Sequence, residues 1–214
     1  MNAPPFDLPI LFEDDRLLVL DKPSGLLSVP GRGEHLTDSL AHRVQARFPD
    51  ARVVHRLDRD TSGVLVMALD LAAQQALSRQ FEMRTVAKCY MAIVAGQVAT
   101  DAGRIDLPLA KDMTQRLPPR HGVDHEHGRP AVTEYRVLAR DALSSRLELR
   151  PETGRSHQLR VHLAAIGHPI LGDPIYGPMV PEIAGVRLML HALSLVIDHP
   201  TTGERMTWTA PCPF

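Results

Sequence analysis

The chain has 214 residues, of which 44% are hydrophobic and 23% are charged, and its formal net charge is −1. This size and composition predict one globular domain with a substantial core, and the near-neutral charge excludes a protein that coats nucleic acid through bulk positive charge. The longest fully apolar run, residues 64–69, is too short to span a membrane, and residues 1–5 lack the features of a signal peptide. The two cysteines, Cys89 and Cys212, suggest neither a disulfide framework nor a zinc site. We therefore expect a cytoplasmic protein in a reducing compartment.

The first fifth of the chain predicts one strand and one helix. Residues 16–22 are typical of a strand that a proline ends. Thr37 is a candidate N-cap for a helix that runs to about Phe48. Leu40 and Val44 recur at helical spacing in this segment, so their face is expected to belong to the core.

The rest of the chain is richer in strands than in helices. Residues 64–69 predict a buried strand, and residues 71–84 predict a helix with Leu71, Leu77 and Phe81 facing inward. The further predicted strands are residues 86–94, 131–139, 146–150, 188–197 and 206–209. Because these elements show no regular βαβ alternation, we expect an α+β fold with a mixed, largely antiparallel sheet. Residues 111–130 are rich in Pro, Gly, His and Arg and predict a mobile surface loop.

The first chemical motif lies in residues 55–63, directly before the buried strand. It places Asp58 among three basic side chains, His55, Arg56 and Arg59. A carboxylate at the end of a buried strand, next to Thr, Ser and Gly, stands on rigid backbone and suits a nucleophile or a general base. An ordinary ion pair in a loop explains the same residues, because structural ion pairs perturb carboxylates as active sites do.

A second motif lies in residues 153–162, where glycine precedes a predicted helix. Ser156 is a candidate cap for this helix, which is expected to end near Gly167. A helix start of this kind favours phosphate or carboxylate groups, and Arg155 and Arg160 add positive charge. The sequence therefore indicates an anion site at this point of the chain.

Basic residues are concentrated around that motif. Residues 150–168 contain three arginines and three histidines but a single acid, Glu152. This predicts a basic face, and the planar arginine fork fits phosphate groups. Arg160 lies in the first turns of the predicted helix and could reach a buried acid at a sheet edge. A solvated arginine on a helix surface explains it equally well.

Together these stretches resemble the RluA-type pseudouridine synthases, bacterial enzymes that isomerise uridine to pseudouridine in ribosomal and transfer RNA. The resemblance holds in order and spacing over nearly the whole chain: residues 22–32, 55–63, 88–90, 154–162, 167–173 and 190–192. It is greatest for the short members, which act on 23S rRNA and the tRNA anticodon arm. It implies a single catalytic domain over residues 1–214, with no S4-like RNA-binding domain.

The resemblance implies that Asp58 is the catalytic aspartate. Moving the bond between base and ribose from N1 to C5 of uracil needs a nucleophile or base but no redox change, so neither a cofactor nor a metal is expected. An ionised carboxylate can serve without an activating base. Whether Asp58 attacks C1′ of the ribose or C6 of the uracil, or instead removes a proton, stays open.

Four further residues receive roles from the resemblance. Arg160 would pair with Asp58 and hold it ionised. Tyr90 would stack on the extruded uracil, with its hydroxyl a candidate for handling the C5 proton, and Leu190 would line the uracil pocket. Arg56 would enter the gap that the flipped base leaves in the RNA. From the residues alone, Arg56 could equally contact a phosphate, and Tyr90 and Leu190 could be core.

Three other interpretations compete with this one. Residues 58–61 superficially resemble the DxDx[TV] loop of magnesium-dependent phosphatases, although the threonine falls one place early. His121, His125 and His127 suggest a metal site, but without a matched second cluster. An RNA-binding module without catalysis is the third.

The expected partner is RNA, recognised by stem-loop shape and by phosphate contacts whose strength falls with salt. Neither a membrane nor an obligate protein partner is implied.

Overall fold

The computed structural model describes residues 6–31, 36–114, 119–177 and 186–214. The chain divides into two compact units. The first unit comprises Met1–Lys88 and His191–Pro213, and the second comprises Cys89–Leu190 and Phe214. No helix among the described residues is long and apolar enough to cross a membrane.

The described residues form twelve strands and three helices. In chain order these are β1 (Ile10–Glu13), β2 (Leu17–Lys22), α1 (Leu40–Arg47), β3 (Arg52–Val53), β4 (Ser62–Ala68), α2 (Leu71–Met83), β5 (Ala87–Ala95), β6 (Ala102–Asp106), β7 (Leu109–Lys111), β8 (His121–Val123), β9 (Val132–Arg140), β10 (Ser144–Pro151), α3 (Gln158–Ala165), β11 (Leu190–Asp198) and β12 (Arg205–Thr209). The strands pair mostly antiparallel, with one parallel pair recorded between β4 and β11. The predicted α+β class with a mixed, largely antiparallel sheet is confirmed.

The first unit is built around β4, which is buried along its whole length. Its strands are ordered β1-β2-β4-β11, with β12 beside β11 and β3 beside β4. The continuous apolar run that predicted a buried strand follows from this central position, because both faces of β4 are covered. Its core contains Leu17, Val19, Val64, Val66, Ala68, Ala73, Leu77, Val86, Leu195, Ile197, Trp208 and Ala210.

Two details of the helices in this unit differ from the prediction. The N-cap of α1 is Ser39, whose Oγ accepts the His42 N–H at 3.2 Å, rather than Thr37. Leu71 is 52% exposed instead of inward. It is the first residue of α2, and the buried stripe of that helix runs through Ala73 and Leu77, four positions apart.

The second unit pairs its strands in the order β5-β10-β9-β6, all antiparallel. Helix α3 packs on this sheet through Leu159 and Leu163. The core contains Ala92, Val94, Val98, Ile105, Leu147, Leu149, Leu159, Leu163, Ile170, Leu188 and Leu190.

The segment predicted as an irregular loop, residues 111–130, contains ordered pairing in its described parts. Strand β8 pairs antiparallel with β7, so that Lys111 lies opposite His121. The Arg129 N–H then donates to the Leu109 carbonyl at 2.8 Å. The loop prediction is wrong here, because strands of three residues are too short to show an alternating pattern. The same shortness hid β1 and β3.

Candidate active site

The Asp58 loop joins β3 to β4 in the first unit. Leu57 is buried, whereas Arg56 is exposed and Asp58 is partly exposed. The Thr61 N–H donates to the Asp58 carbonyl at 3.2 Å and closes a turn directly before β4. An inward Leu57 therefore anchors the loop, and its two neighbours in sequence lie toward the surface.

Lys22 holds this loop from beneath. Its side chain is fully buried, and Nζ donates to the carbonyl oxygens of Pro23 at 2.9 Å, Leu26 at 2.7 Å and Arg59 at 2.9 Å. A buried ammonium has three donors, and leaving them unsatisfied would be costly. Lys22 thus fastens the turn after β2 to the backbone beside Asp58.

Hydrogen bonds from residues 24–28 reinforce the same contact. Ser28 Oγ donates to the Leu57 carbonyl at 2.6 Å and accepts the Leu57 N–H at 3.0 Å. The Gly25 N–H donates to the Arg59 carbonyl at 2.9 Å, and Ser24 Oγ donates to the Asp60 carbonyl at 2.7 Å. These bonds fix the backbone on both sides of Asp58 and do not involve its carboxylate.

The start of β4 is fastened to β11 by a close parallel contact. Ser62 lies opposite His191, and Gly63 lies opposite Ala192. His191 Nε2 lies 3.2 Å from the Ala210 carbonyl oxygen, which can only accept, so Nε2 carries the proton. Nδ1 then accepts from Ser62 Oγ at 2.8 Å. The strand that follows the Asp58 loop is therefore fixed at its first two residues.

His55 is not a cation beside Asp58, contrary to the sequence interpretation. Its Nε2 accepts the Val66 N–H at 3.0 Å, and its ring stacks on Phe81 with centroids 4.7 Å apart. Burial, helped by the charge of Lys88, lowers the pKa of His55 to about 3. His55 is therefore a neutral part of the packing under the loop.

Arg160 is a buried residue of α3 in the second unit. Its Nε and Nη2 donate to the two carboxylate oxygens of Asp173, each at 2.7 Å. Both side chains are almost completely buried. Burial alone would raise the pKa of Asp173. The Arg160 bonds and charge, with the N–H groups of Ile175 and Tyr176, instead hold that pKa below its usual value.

Tyr176 completes the surroundings of Arg160. The Arg160 guanidinium lies over the tyrosine ring, 5.2 Å from its centroid. The tyrosine hydroxyl accepts the His121 N–H at 2.8 Å and lies 2.8 Å from His157 Nδ1. Because a backbone N–H can only donate, the hydroxyl proton is available for His157 Nδ1. This set of contacts links α3, the turn after Asp173 and the β7–β8 hairpin.

The start of α3 is not capped as the sequence predicted. The N-cap residue is His157, in the left-handed conformation with φ 56°, and it makes no side-chain cap. Ser156 is exposed and does not fill the role. Instead, Gln158 Oε1 accepts the Arg155 N–H at 3.0 Å and the Thr153 hydroxyl at 2.7 Å. Gln158 thus fixes the segment that leads into the helix and does not replace the cap expected from Ser156.

Two of the six basic residues in the basic face predicted for residues 150–168 are buried in the second unit. Arg160 and His162 are buried, and burial lowers the pKa of His162. Arg150 pairs with Glu148 at 2.9 Å. Arg155 Nε donates to the Pro130 carbonyl at 3.1 Å. Counting charge along the sequence therefore overstates the basic face, because the fold buries two of these groups and pairs Arg150 with an acid.

The structure places the remaining predicted site residues in the second unit. Tyr90 lies on β5 opposite Leu149 and is partly buried against the core. Leu190 is 3% exposed within the same core, in agreement with the alternative that it is a core residue. Asp58 and Arg160 belong to different units, and their pairing stays a prediction.

The histidines of the hairpin do not gather as metal ligands. The described residues contain no group of three or more His, Cys, Asp or Glu side chains that could hold a metal ion. The His121 ring instead contacts the His157 ring edge to face, 5.1 Å between centroids. His127 lies 3.9 Å from Asp124, a carboxylate that mainly accepts backbone N–H groups of its own turn.

Sequence reasoning missed Lys22, Asp173 and Tyr176 as parts of the candidate site. Lys22 and Asp173 fall inside segments that carry the family resemblance, residues 22–32 and 167–173, which is the signal that could have identified them. Tyr176 lies outside those segments. Only the three-dimensional contact with Arg160 identifies it.

Comparison with known proteins gives a consistent result. A profile described as RNA pseudouridylate synthase matches residues 16–165. The chain is 50% identical over 208 residues, 97% of its length and 94% of the other, to the Escherichia coli strain K12 protein named dual-specificity RNA pseudouridine synthase RluA. The protein of the same name from Haemophilus influenzae is 47% identical, covering 99% of this chain and 97% of the relative.

Solved structures agree with these relatives. The structure titled human RNA pseudouridylate synthase domain containing 1 matches with a TM-score of 0.82 and 32% identity, covering 100% of this chain and 87% of the other. The structure titled human RNA pseudouridylate synthase domain containing 4 matches with a TM-score of 0.75 and 28% identity. The match covers 96% of this chain and 88% of the other. Fold and sequence therefore indicate the same family.

Proposed function

Since this chain belongs to the RNA pseudouridylate synthase family, whose members isomerise uridine to pseudouridine in RNA, we propose that Asp58 is its catalytic aspartate. We also propose one catalytic domain over residues 1–214, acting in the cytoplasm. The substrates are stem-loops of 23S rRNA, of the tRNA anticodon arm, or of both. The observation that carries the assignment is the fastening of the Asp58 loop by Lys22, because a reacting carboxylate needs a fixed position.

The isomerisation of uridine to pseudouridine needs a carboxylate and no second reactant. The bond from ribose C1′ to uracil N1 breaks, a bond from C1′ to C5 forms, and the proton on C5 is released while N1 gains one. No electrons are exchanged with a second reactant, so no cofactor is expected. Asp58 can assist by adding to C1′ or C6, or by removing a proton. The hydrogen bonds of Lys22 and Ser28 fix the backbone of its loop and do not use the carboxylate.

The other proposed roles follow from position and chemistry. Arg56 is exposed two residues before Asp58, where it can enter the gap left by a flipped uridine. Tyr90 would stack on the uracil, an interaction worth about 1–3 kcal/mol per base. Leu190 would line the uracil pocket. Arg160 would pair with Asp58, and its fixed geometry on Asp173 suits that role.

Support for the substrate comes from the relatives and from charge. Two relatives, 50% and 47% identical to this chain, carry the name dual-specificity RNA pseudouridine synthase. The net charge of −1 means that RNA attraction depends on local arginines and on stem-loop shape. Binding is therefore expected to weaken as salt rises.

The test is tritium release from C5-labelled uridine in unmodified 23S rRNA and in an anticodon-arm RNA, with EDTA present. Asp58→Ala is compared with Asp60→Asn, a matched control two residues away in the same loop. We expect release by the native protein and the control, but not by Asp58→Ala. Release by Asp58→Ala would contradict the assignment of Asp58.

Other results would favour the competing functions. Phosphate release that EDTA stops would favour the phosphatase interpretation, because phosphoryl transfer by the DxDx[TV] loop needs Mg²⁺. RNA binding without release from either RNA would favour a noncatalytic module. Release from one RNA and not the other would restrict the proposed substrate to that RNA.

A further inference from the structure

We propose that Tyr176 is a positioning residue of the active site: its ring holds the Arg160 guanidinium, and its hydroxyl fastens the β7–β8 hairpin to the start of α3. The inference rests on the proposed function, in which Arg160 acts beside Asp58. It extends that function by assigning the hairpin a part in substrate selection.

The ring and Asp173 together fix the plane of the guanidinium. Arg160 Nε and Nη2 each donate to a carboxylate oxygen of Asp173 at 2.7 Å. These two bonds hold one edge of the guanidinium, and the group can still tilt about that edge. The guanidinium carbon lies over the Tyr176 ring, 5.2 Å from its centroid. Arginine has a long side chain with many rotamers, so a second contact beside the Asp173 pair further restricts the orientation of the guanidinium.

Asp173 also builds the turn that presents the ring. Its Oδ1 accepts the N–H groups of Ile175 at 2.9 Å and Tyr176 at 3.0 Å in addition to Arg160. The Gly177 N–H donates to the Asp173 carbonyl at 3.0 Å. A Cβ at Gly177 would lie 2.4 Å from that oxygen, so only glycine fits the end of the turn. One carboxylate thus binds Arg160 and places the ring over it.

The hydroxyl joins two other elements at a single oxygen. It accepts the N–H of His121, which begins β8, and shares a hydrogen bond with Nδ1 of His157, which precedes α3. The His157 ring contacts both the His121 ring and the Tyr176 ring edge to face, with centroids 5.1 Å and 5.7 Å apart. Arg160 lies three residues after His157, which is less than one helical turn. A shift of the hairpin can therefore be passed to Arg160 through the Tyr176 hydroxyl and the first turn of α3.

The consequence concerns selection among RNAs. The β7–β8 hairpin lies outside the segments that carry the family resemblance, whereas Arg160 lies in one of them. Its fastening to the start of α3 gives a route by which RNA resting on the hairpin influences the orientation of Arg160. We expect the hydroxyl to affect mainly KM and the preference between RNAs, and the ring to affect mainly kcat.

Two substitutions separate these parts. Tyr176→Phe removes the hydroxyl and keeps the ring, whereas Tyr176→Leu removes both. Tyr135→Phe is the matched control, because the Tyr135 hydroxyl bonds Thr100 at 2.7 Å in the same unit, away from Arg160. Tritium release is measured for both RNAs as kcat and KM. We expect Tyr176→Phe to raise KM about three- to tenfold with kcat unchanged, and Tyr176→Leu to lower kcat about tenfold or more.

A second measurement does not depend on catalysis. In native-state amide exchange, Tyr176→Phe is expected to speed exchange at the His121 N–H, and Tyr135→Phe is not. Unchanged exchange at His121, or native kcat in Tyr176→Leu, would overturn this inference while the proposed function stands. Absence of release by the native protein would overturn the proposed function, and with it the role of Tyr176 in catalysis.

Discussion

Gly63 and Ala192 lie opposite each other in the parallel pair of β4 and β11, so close that a Cβ at Gly63 would be 2.2 Å from the Ala192 carbonyl oxygen. Gly63 also has a φ of +112°, a conformation that strains other residues. We predict that Gly63→Ala loses about 3 kcal/mol or more of the free energy of unfolding, measured in urea.

The control for Gly63 is Gly203→Ala. Gly203 has a φ of +73° with open space where its Cβ would lie, so only backbone strain of about 1 kcal/mol is expected. Equal losses in the two variants would show that the contact with Ala192 does not determine the requirement for glycine.

Removing the Lys22 ammonium should loosen the Asp58 loop. Lys22→Met leaves the carbonyl oxygens of Pro23, Leu26 and Arg59 without this buried donor, and we predict a loss of about 3 kcal/mol in the free energy of unfolding. Tritium release should fall as well, under conditions where the variant is folded. Lys111→Met, at an exposed position, is the control and should behave like the native protein. Native turnover in folded Lys22→Met would contradict the role given to this lysine.

We predict that His55 lowers the free energy of unfolding in acid. Its pKa is about 3 in the folded protein, against about 6.5 in the unfolded chain, so between these values the unfolded state binds more protons. The stabilisation is complete above pH 6.5 and decreases as the pH falls toward 3, by about 2 kcal/mol at pH 5.

The comparison that isolates His55 is His55→Gln. An amide oxygen can still accept the Val66 N–H, but it does not titrate. Urea unfolding is measured from pH 5 to pH 7 for both proteins, so that other titrating groups cancel in the difference. We expect a weaker pH dependence in the variant. Parallel curves would mean that folding leaves the pKa of His55 unchanged.

Arg56 is predicted to support base flipping. We expect Arg56→Ala to weaken binding of the anticodon-arm RNA about three- to tenfold and to abolish the fluorescence increase of 2-aminopurine placed beside the target uridine. Arg52→Ala, an exposed arginine in the same unit, is the control. If Arg56 contacts only a phosphate, the fluorescence increase will persist, and the slope of log affinity against log salt will decrease by roughly 0.7.

The sequence predicted long and strongly patterned elements well. The apolar run at residues 64–69 and the helix at residues 71–84 were found because burial on all sides or on one stripe leaves a clear pattern. Leu71 was misplaced because the first residue of a helix can lie at the edge of the stripe. The β7–β8 hairpin was missed because three-residue strands carry no period.

The candidate site was predictable only as separate motifs. Asp58 was singled out as a candidate because a carboxylate before a buried strand is conspicuous, and the sequence allowed Arg160 to reach a buried acid. That Asp173 is such a partner depends on a turn thirteen residues later. No local pattern encodes it, and none encodes the neutral state of His55, which follows from burial.

The pairing of β4 with β11 has a consequence for how the protein is made. Ser62 and His191 are 129 residues apart, and all of the second unit except Phe214 is synthesised between them. Contacts this distant in sequence form slowly, since a long loop must close before they form. On the ribosome, the strand that fixes the start of β4 emerges only after the second unit. We therefore expect the unit that carries Asp58 to stay unfinished in the nascent chain until β11 has been synthesised.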